Sequence, residues 1–246
     1  NTNQVSCILS SPGYYVPSPA STSQLPCNPG TYQPSSGSSV CIETSPGHYT
    51  SSLASITQSQ CGVGTFQPNY GQSRCIAADT GHYVDSEASV NQTACELGTY
   101  QPYLSSTNCF DADPGYYVDS TGSSFQTACL AGTYNPETRS NSSSSCLVAN
   151  QGFYVASDGS SEQLVCLPGS YQPNYGSSSC LDADSGYYVN SYQAISQEPC
   201  SVGTYQPQSA QIGCYNSEPG YYVDSIAALL QTPCQAGTYN PSSSSI

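Results

Sequence analysis

The sequence predicts small disulfide-rich repeats stacked into an extended rod, with short β-strands and turns and essentially no helix. Three observations support this fold class. The cysteines recur with a fixed period, glycine and proline recur every few residues, and large apolar side chains are too sparse for one core. The chain of 246 residues contains 14 Cys, 21 Gly and 18 Pro, but only 4 Phe and neither Met nor Trp.

The cysteine positions define a tandem repeat. Cys7 and Cys27 are 20 residues apart and Cys27 and Cys41 are 14 apart, so the period is 34 residues. The period is broken once, by three extra residues, and a fixed period of this size indicates a repeat array. The predicted boundaries are 1–6 for the tail of an incomplete repeat, 7–40, 41–74, 75–108, 109–145 with the three-residue insertion, 146–179, 180–213, and 214–246 for an incomplete seventh repeat.

Each repeat has two halves that use the same few residue types. The shorter half reads C-x-x-G-[T/S]-[Y/F]-x-P, as in the segment 27–34. The longer half has a glycine six residues after its cysteine, then a ring and Tyr, and a Gln three residues before the next cysteine. Glycine permits turns that a side chain would block, and Gly and Pro interrupt helices. We therefore expect strands of two to four residues, and a polar loop at Glu137–Ser145.

Disulfides are the expected crosslinks. Zinc sites need ligands in close pairs such as C-x2-C, whereas here no two cysteines are closer than 14 residues and only 2 His are present. Disulfides persist in oxidising compartments, so the sequence predicts an extracellular or cell-surface protein. The residues alone leave two pairings open, one across the 14-residue and 17-residue gaps and one across every 20-residue gap.

The charge argues against two classes of partner. The chain has two cations, Arg74 and Arg139, against 16 acidic residues, and its formal net charge is −14. Such a chain cannot neutralise phosphates, so we expect no nucleic-acid binding, and an anionic membrane surface is an equally poor partner.

No apolar run is long enough for membrane insertion and no signal peptide is present, which predicts a mature protein or an excised portion of one.

No catalytic, cofactor or metal site is predicted. His48 and His82 take the position after the turn glycine that aromatic rings occupy in other repeats, so we interpret them as structural rings. The serines show neither a nucleophile elbow nor a paired base, and we expect no enzyme. We interpret the acidic residues of the DAD segments 111–113 and 182–184 as solvated turn acids, because other repeats have Ser or Asn at the position of the second Asp. The alternative is that these segments bind calcium through their carboxylate oxygens.

Two asparagines begin N-glycosylation sequons. They are Asn91, in NQT, and Asn141, in NSS. In an oxidised extracellular protein both are predicted to carry glycans. Asn141 lies in the polar insertion, where access for the modifying enzyme is expected to be easiest.

The shorter half resembles a known class of repeat. C-x2-G-T-Y/F, a glycine near the tenth position and a cysteine at +14 are similar to the ephrin-receptor-like cysteine-rich repeat, which is akin to the first disulfide loop of tumour necrosis factor receptor modules. The match is good for Cys27–Cys41, Cys61–Cys75 and Cys166–Cys180, and it recurs along the chain. Such families carry additional cysteines per module, so their connectivity carries over only to the short loop.

The resemblance implies extended, disulfide-laddered extracellular stalks with pairing across the shorter gaps. The implied pairs are Cys27–Cys41, Cys61–Cys75, Cys95–Cys109, Cys129–Cys146, Cys166–Cys180 and Cys200–Cys214. This pairing leaves Cys7 and Cys234 over, and the segments around them match the two parts of one interrupted short half. We therefore expect these two cysteines to bond between segments, with head-to-tail self-association into a filament that does not close. The junction is either covalent chain, if the sequence is an excised stretch, or a docked contact between subunits.

Two functions from different classes are compatible with the sequence. The favoured one is a structural subunit or segment of an extracellular filament, surface hair or stalk, because the repeats are uniform. The alternative is the ligand-binding ectodomain of a cell-surface receptor or adhesin, in which one or two repeats should deviate on an exposed face. The sequence deviates little, mainly at the insertion and at the apolar pair Leu229–Leu230.

An array in which each repeat contacts mainly its neighbours predicts an expanded particle. We expect small-angle X-ray scattering to give a radius of gyration well above roughly 18 Å, the value for a compact chain of this length. A value near the compact one would contradict the rod.

Overall fold

The structure is a computed structural model that describes residues 6–246. In that part of the chain, 26 strands of two residues each form 13 antiparallel hairpins, and one 3-10 helix, η1, covers Ser143–Ser145. The prediction of short strands and turns with essentially no helix is confirmed.

The hairpins alternate between the longer and the shorter halves of the sequence repeat. Those in the longer halves are β1 Tyr14–Tyr15 with β2 Leu25–Pro26, β5 His48–Tyr49 with β6 Ser59–Gln60, β9 His82–Tyr83 with β10 Thr93–Ala94, β13 Tyr116–Tyr117 with β14 Thr127–Ala128, β17 Phe153–Tyr154 with β18 Leu164–Val165, β21 Tyr187–Tyr188 with β22 Glu198–Pro199, and β25 Tyr221–Tyr222 with β26 Thr232–Pro233. Those in the shorter halves are β3 Thr31–Tyr32 with β4 Ile42–Glu43, β7 Thr65–Phe66 with β8 Ile76–Ala77, β11 Thr99–Tyr100 with β12 Phe110–Asp111, β15 Thr133–Tyr134 with β16 Leu147–Val148, β19 Ser170–Tyr171 with β20 Leu181–Asp182, and β23 Thr204–Tyr205 with β24 Tyr215–Asn216.

Contacts between Cα atoms divide the chain into two compact units. The first comprises the residues up to Ala112 together with Val118–Gln126, and the second comprises Asp113–Tyr117 together with Thr127–Ile246. The strands β1 to β12 therefore lie in the first unit and β13 to β26 in the second. The contacts described below lie within one unit or the other.

The structural repeat is 17 residues, half of the sequence repeat. A turn glycine immediately precedes the first strand of every hairpin, and its φ lies between +75° and +93°. Gly13 and Gly30 are 30 − 13 = 17 residues apart, and this spacing continues except across the three-residue insertion, where Gly132 and Gly152 are 20 apart. The two halves of each sequence repeat thus fold into the same type of hairpin.

Within each unit, backbone hydrogen bonds join consecutive hairpins. The turn glycine and the third residue after it donate to carbonyls of the following hairpin, which donates one N–H group back. At the junction between the Gly64 and Gly81 hairpins these bonds are Gly64 N–H to Val84 O at 2.8 Å, Gln67 N–H to Ser89 O at 3.0 Å and Ala88 N–H to Cys61 O at 2.8 Å. Ala78 N–H donates to Gly64 O at 2.9 Å and extends the ladder of the Gly64 hairpin itself. Each such bond contributes about 1 kcal/mol net.

The core consists of small apolar side chains and of glutamines. Val84, directly after β9, and Ala78, directly after β8, are buried, as is Cys61, directly after β6. Gln67 is also buried, and it donates from Nε2 to the carbonyl of Arg74 at 2.8 Å. A buried amide must be hydrogen-bonded or it destabilises the fold, and within residues 6–246 no buried side-chain nitrogen or oxygen lacks a partner.

Close packing also requires glycine at these turns, because the backbone of the hairpin two further along the chain lies against them. A Cβ atom built on Gly64 would lie 2.2 Å from the carbonyl oxygen of Ser105, which belongs to the next hairpin but one. The same contact recurs at Gly13, Gly30 and Gly47, where the nearest carbonyl oxygen would lie at 2.1–2.3 Å. No side chain fits at that distance, so hairpins two apart pack backbone against backbone.

Substitution of a turn glycine is expected to destabilise the array. Gly64→Ala places a Cβ against the carbonyl of Ser105 and puts a side chain on a residue whose backbone has a left-handed φ of +78°. The expected loss in the free energy of unfolding is roughly 2–5 kcal/mol. Gly62→Ala, in the same hairpin, is the matched control, because a Cβ there meets nothing within 4 Å. Denaturant unfolding measures both, and equal stability of the two variants would contradict the packing described here.

Candidate interaction surfaces

Six disulfides close the shorter hairpins. The Cα atoms of each bonded pair are 5.6–5.8 Å apart, within the usual range for this bond. The bonds are Cys27–Cys41, Cys61–Cys75, Cys95–Cys109, Cys129–Cys146, Cys166–Cys180 and Cys200–Cys214. The structure therefore pairs cysteines across the 14-residue and 17-residue gaps and not across the 20-residue gaps.

A glutamine closes the longer hairpins at the position that the second cysteine takes in the shorter ones. Gln92 stands eleven residues after Gly81, as Cys75 stands eleven after Gly64. Its Oε1 accepts a hydrogen bond from the backbone N–H of Asp79 at 2.7 Å. The same bond is made by Gln24, Gln58, Gln163, Gln197 and Gln231. Sequence analysis identified these glutamines but not their role; the shared distance from the turn glycine was the signal.

The acidic residues near the turns belong to this closure. Asp184 donates its backbone N–H to Oε1 of Gln197 at 2.6 Å, and its carboxylate accepts from Nε2 of the same side chain at 2.7 Å. Asp111 lies in β12 and is exposed, as is Asp113. Within residues 6–246 no three His, Cys, Asp or Glu side chains come together in a way that could hold a metal ion.

The two histidines lie in strands directly after turn glycines. His48 is in β5 and His82 in β9, and both side chains are half-buried. Nδ1 of His48 lies 3.1 Å from the carbonyl oxygen of Pro46, and Nδ1 of His82 lies 3.2 Å from that of Thr80. Each ring therefore contacts its own turn.

Two open clefts each contain a cysteine that has no disulfide partner within residues 6–246. Cys234, which is half-buried, lines one together with Thr238, Tyr239 and Asn240. Exposed Cys7 lines the other, with the following residues among its neighbours: Ile8, Leu9, Ser10, Val16 and Ala20. The structure thus places both leftover cysteines on surfaces that neighbouring hairpins do not cover.

A row of exposed apolar side chains follows the shorter hairpins in each unit. Each residue stands directly after the second cysteine, pairs across the hairpin with the aromatic residue of the first strand, and is 42–51% exposed. The members are Ile42, Ile76 and Phe110 in the first unit and Leu147, Leu181 and Tyr215 in the second. Phe110 also meets Tyr100 at 6.0 Å and Tyr103 at 6.4 Å between ring centroids. Such cross-strand pairs stabilise a hairpin, and their outer sides offer an apolar contact surface.

The side chains of both sequon asparagines are exposed. Asn141 lies in the insertion, two residues before η1, whereas Asn91 is followed by Gln92 and by Thr93 of β10. Gln92 is held by Asp79 through two hydrogen bonds, so the Asn91 sequon is part of a closed hairpin.

No helix among residues 6–246 is both long and apolar enough to cross a bilayer. The chain matches no protein-family model, and a search of curated proteins found no match.

The two sequons are expected to differ in occupancy. Asn141 should be glycosylated more fully than Asn91, because the insertion leaves it accessible while the Asn91 sequon is closed by Gln92. Intact-glycopeptide mass spectrometry of protein secreted from eukaryotic cells measures both sites, and Asn91→Gln is the control that should leave Asn141 unaffected. An occupied Asn91 beside a bare Asn141 would reverse the ranking.

Proposed function

We propose that the chain is a structural segment of an extracellular filament, surface hair or stalk. The observation that carries this proposal is the regularity of the junctions: within each unit, every turn glycine that precedes another hairpin donates its N–H to that hairpin, and most junctions add the same two further backbone hydrogen bonds. A contact made by the backbone is available to every hairpin whatever its side chains, which suits a material that extends by repetition.

Disulfide chemistry and charge support an extracellular or cell-surface location. Six disulfides require an oxidising compartment to form and persist. The resemblance to ephrin-receptor-like and tumour necrosis factor receptor-like repeats points to the same location. A net charge of −14, with glycans at the exposed asparagines, would keep neighbouring segments hydrated and apart. The role is non-enzymatic in this proposal.

Self-association head-to-tail is part of the proposal. The clefts that hold Cys7 and Cys234 are supporting features, because each combines a free thiol with uncovered hairpin surface. A contact between two different surfaces of the same chain does not close and therefore propagates.

One observation favours the second candidate function, a ligand-binding ectodomain. Phe110, Tyr100 and Tyr103 form a local aromatic cluster on the exposed row, and aromatic side chains are enriched at binding sites. Tyr205 and Tyr215 make a similar cross-strand pair at 5.9 Å in another shorter hairpin, so the third ring, Tyr103, is what sets the Phe110 hairpin apart, as expected for a repeat that deviates on an exposed face.

Electron microscopy of native material with antibodies raised against the loop 137–145 tests the proposed function. Regularly spaced label along filaments or surface hairs is the expected result. Label confined to cell membranes without fibrous material would contradict it. Saturable binding of a soluble ligand that is lost in Phe110→Ser but kept in Ile76→Ser would favour the receptor or adhesin instead.

A further inference from the structure

A force that stretches the chain would bypass the backbone inside the disulfide loops. Each disulfide joins the two cysteines of a shorter hairpin, so residues 28–40 carry no load while the Cys27–Cys41 bond is intact. The load passes from Cys27 directly to Cys41 and then along the backbone to Cys61, where the next disulfide begins. In each repeat, therefore, a disulfide shields one stretch of backbone from load and leaves the following stretch unshielded.

The unshielded stretches between consecutive disulfides all have the same length. There are five of them, and each runs 20 residues from one cysteine to the next: 41–61, 75–95, 109–129, 146–166 and 180–200. The three-residue insertion, which breaks the period of the array, lies inside the Cys129–Cys146 loop. The insertion thus leaves the length of every unshielded stretch unchanged.

Non-covalent bonds hold the unshielded stretch 75–95 in place, because no cysteine lies between Cys75 and Cys95. Within the stretch, β9 pairs with β10, and Gln92 closes their hairpin through two hydrogen bonds to Asp79 of 2.7 Å each. Backbone bonds of 2.7–2.8 Å to the neighbouring hairpins include Gly64 N–H to Val84 O, Gly81 N–H to Gln101 O, and Ala88 N–H to Cys61 O. Each bond contributes only about 1 kcal/mol net, so this stretch opens under loads that the disulfides beside it withstand.

The disulfides are partly protected from reduction. The first cysteine of every bond is only 0–1% exposed, and the second is half-buried; the first cysteines are Cys27, Cys61, Cys95, Cys129, Cys166 and Cys200. Thiol–disulfide exchange requires a thiolate to reach one of the two sulfur atoms, so burial slows it. The shielded loops are therefore expected to stay closed while the unshielded stretches open.

We propose that the chain has a mechanical function: it lengthens reversibly under load by opening its 20-residue unshielded stretches one at a time. Each opened stretch spans at most roughly 70 Å, and the closed disulfide loops limit the total length. The proposal rests on the structural role proposed above and assigns a mechanical property to the segment that performs it. A stalk or hair built in this way would lengthen under drag before its backbone is fully stretched.

The contacts of each hairpin are local, which favours separate opening and recovery. Gly64 donates to Val84 of the next hairpin, and its Cα lies against Ser105 of the hairpin after that. In an array with contacts between near neighbours, opening of one stretch disturbs the adjacent hairpins and not the whole. The disulfide hairpins on both sides of an opened stretch remain closed. A stretch that returns to surfaces already formed loses less conformational entropy than one that must form them, so the closed hairpins promote refolding.

Optical-tweezers extension of the full oxidised chain, held at its two ends, tests the proposal. Five steps of at most roughly 70 Å each are expected from the stretches between disulfides, and the same steps should recur after the load is released. Reductant should increase the fully stretched length about 1.5-fold, because the six disulfide loops then extend as well. A single rupture of the whole chain, or steps that are absent from a second pull, would overturn the proposal.

An added disulfide tests whether the stretch 75–95 opens in one of these steps. Ala78 stands three residues before the turn glycine of its hairpin and Gln92 stands eleven after it. The bonded Cys61 and Cys75 take the same two positions in their own hairpin. Ala78→Cys combined with Gln92→Cys is therefore expected to crosslink the hairpin and to shorten one step by roughly 40 Å.

The matched control is Ala78→Ser combined with Gln92→Ser, which changes the same positions without a crosslink and should leave all five steps at full length. Peptide mapping verifies the added disulfide. If the crosslinked variant shows five steps of unchanged length, the stretch 75–95 does not open in them, and the proposal is refuted.

The glutamine closure is expected to set how readily a stretch opens. Gln92→Ala removes both hydrogen bonds to Asp79, so one step should occur roughly tenfold faster at constant force. Gln72→Ala is the matched control, because the Nε2 of Gln72 donates to the carbonyl of Tyr70 inside a shielded loop. Unchanged opening in Gln92→Ala would show that the longer hairpins do not open in these steps, which would refute the proposal.

These outcomes separate this inference from the proposed function. Filaments in native material, together with a single rupture of the chain under load, would refute the mechanical function and leave the structural role standing. Recurring steps in the isolated chain, together with native material that contains no filaments, would support reversible lengthening and refute the structural role.

Discussion

The turn glycines determine how the hairpins of each unit stack. At Gly64, as at most of the others, the carbonyl of a hairpin two further on lies where a side chain would begin, and the N–H group donates to the hairpin between them. Packing is therefore made mainly by backbone atoms, with small side chains filling the remainder. This explains how a chain rich in Ser, Gly and Pro, with few large apolar residues, forms ordered structure: its contacts do not require a conventional apolar core.

The alternation of disulfide and glutamine closure has an energetic consequence. A disulfide across about 15 residues restricts the unfolded chain and contributes roughly 3 kcal/mol, whereas each of the two hydrogen bonds between Gln92 and Asp79 contributes about 1 kcal/mol. In each sequence repeat one hairpin is thus closed covalently and its neighbour by a side-chain amide. The weaker hairpin is held by its junctions, so the stability of an array of this kind depends on the oxidation of every second hairpin.

The same contacts link the fold to the proposed assembly. Each hairpin has two surfaces. On one, the N–H of its turn glycine donates to the next hairpin; on the other, the carbonyl three residues after its turn glycine accepts from the preceding hairpin. If the two surfaces meet, the filament grows by the interaction that already orders each unit, and the acidic side chains stay on the outside, where they oppose lateral association.

The sequence by itself determined the features that depend on local spacing and residue type. These are the cysteine period, the turn glycines, the shortness of the strands, the near absence of helix and the oxidised state of most cysteines. It did not determine the disulfide pairing, which the residues left open. Nor did it determine the 17-residue structural repeat, because the equal spacing of the turn glycines indicates a repeat only once both halves are known to fold as hairpins. The burial of Gln67 and the contact of Gly64 with Ser105 were decided by tertiary structure alone, because they depend on which backbone atoms lie one and two hairpins away.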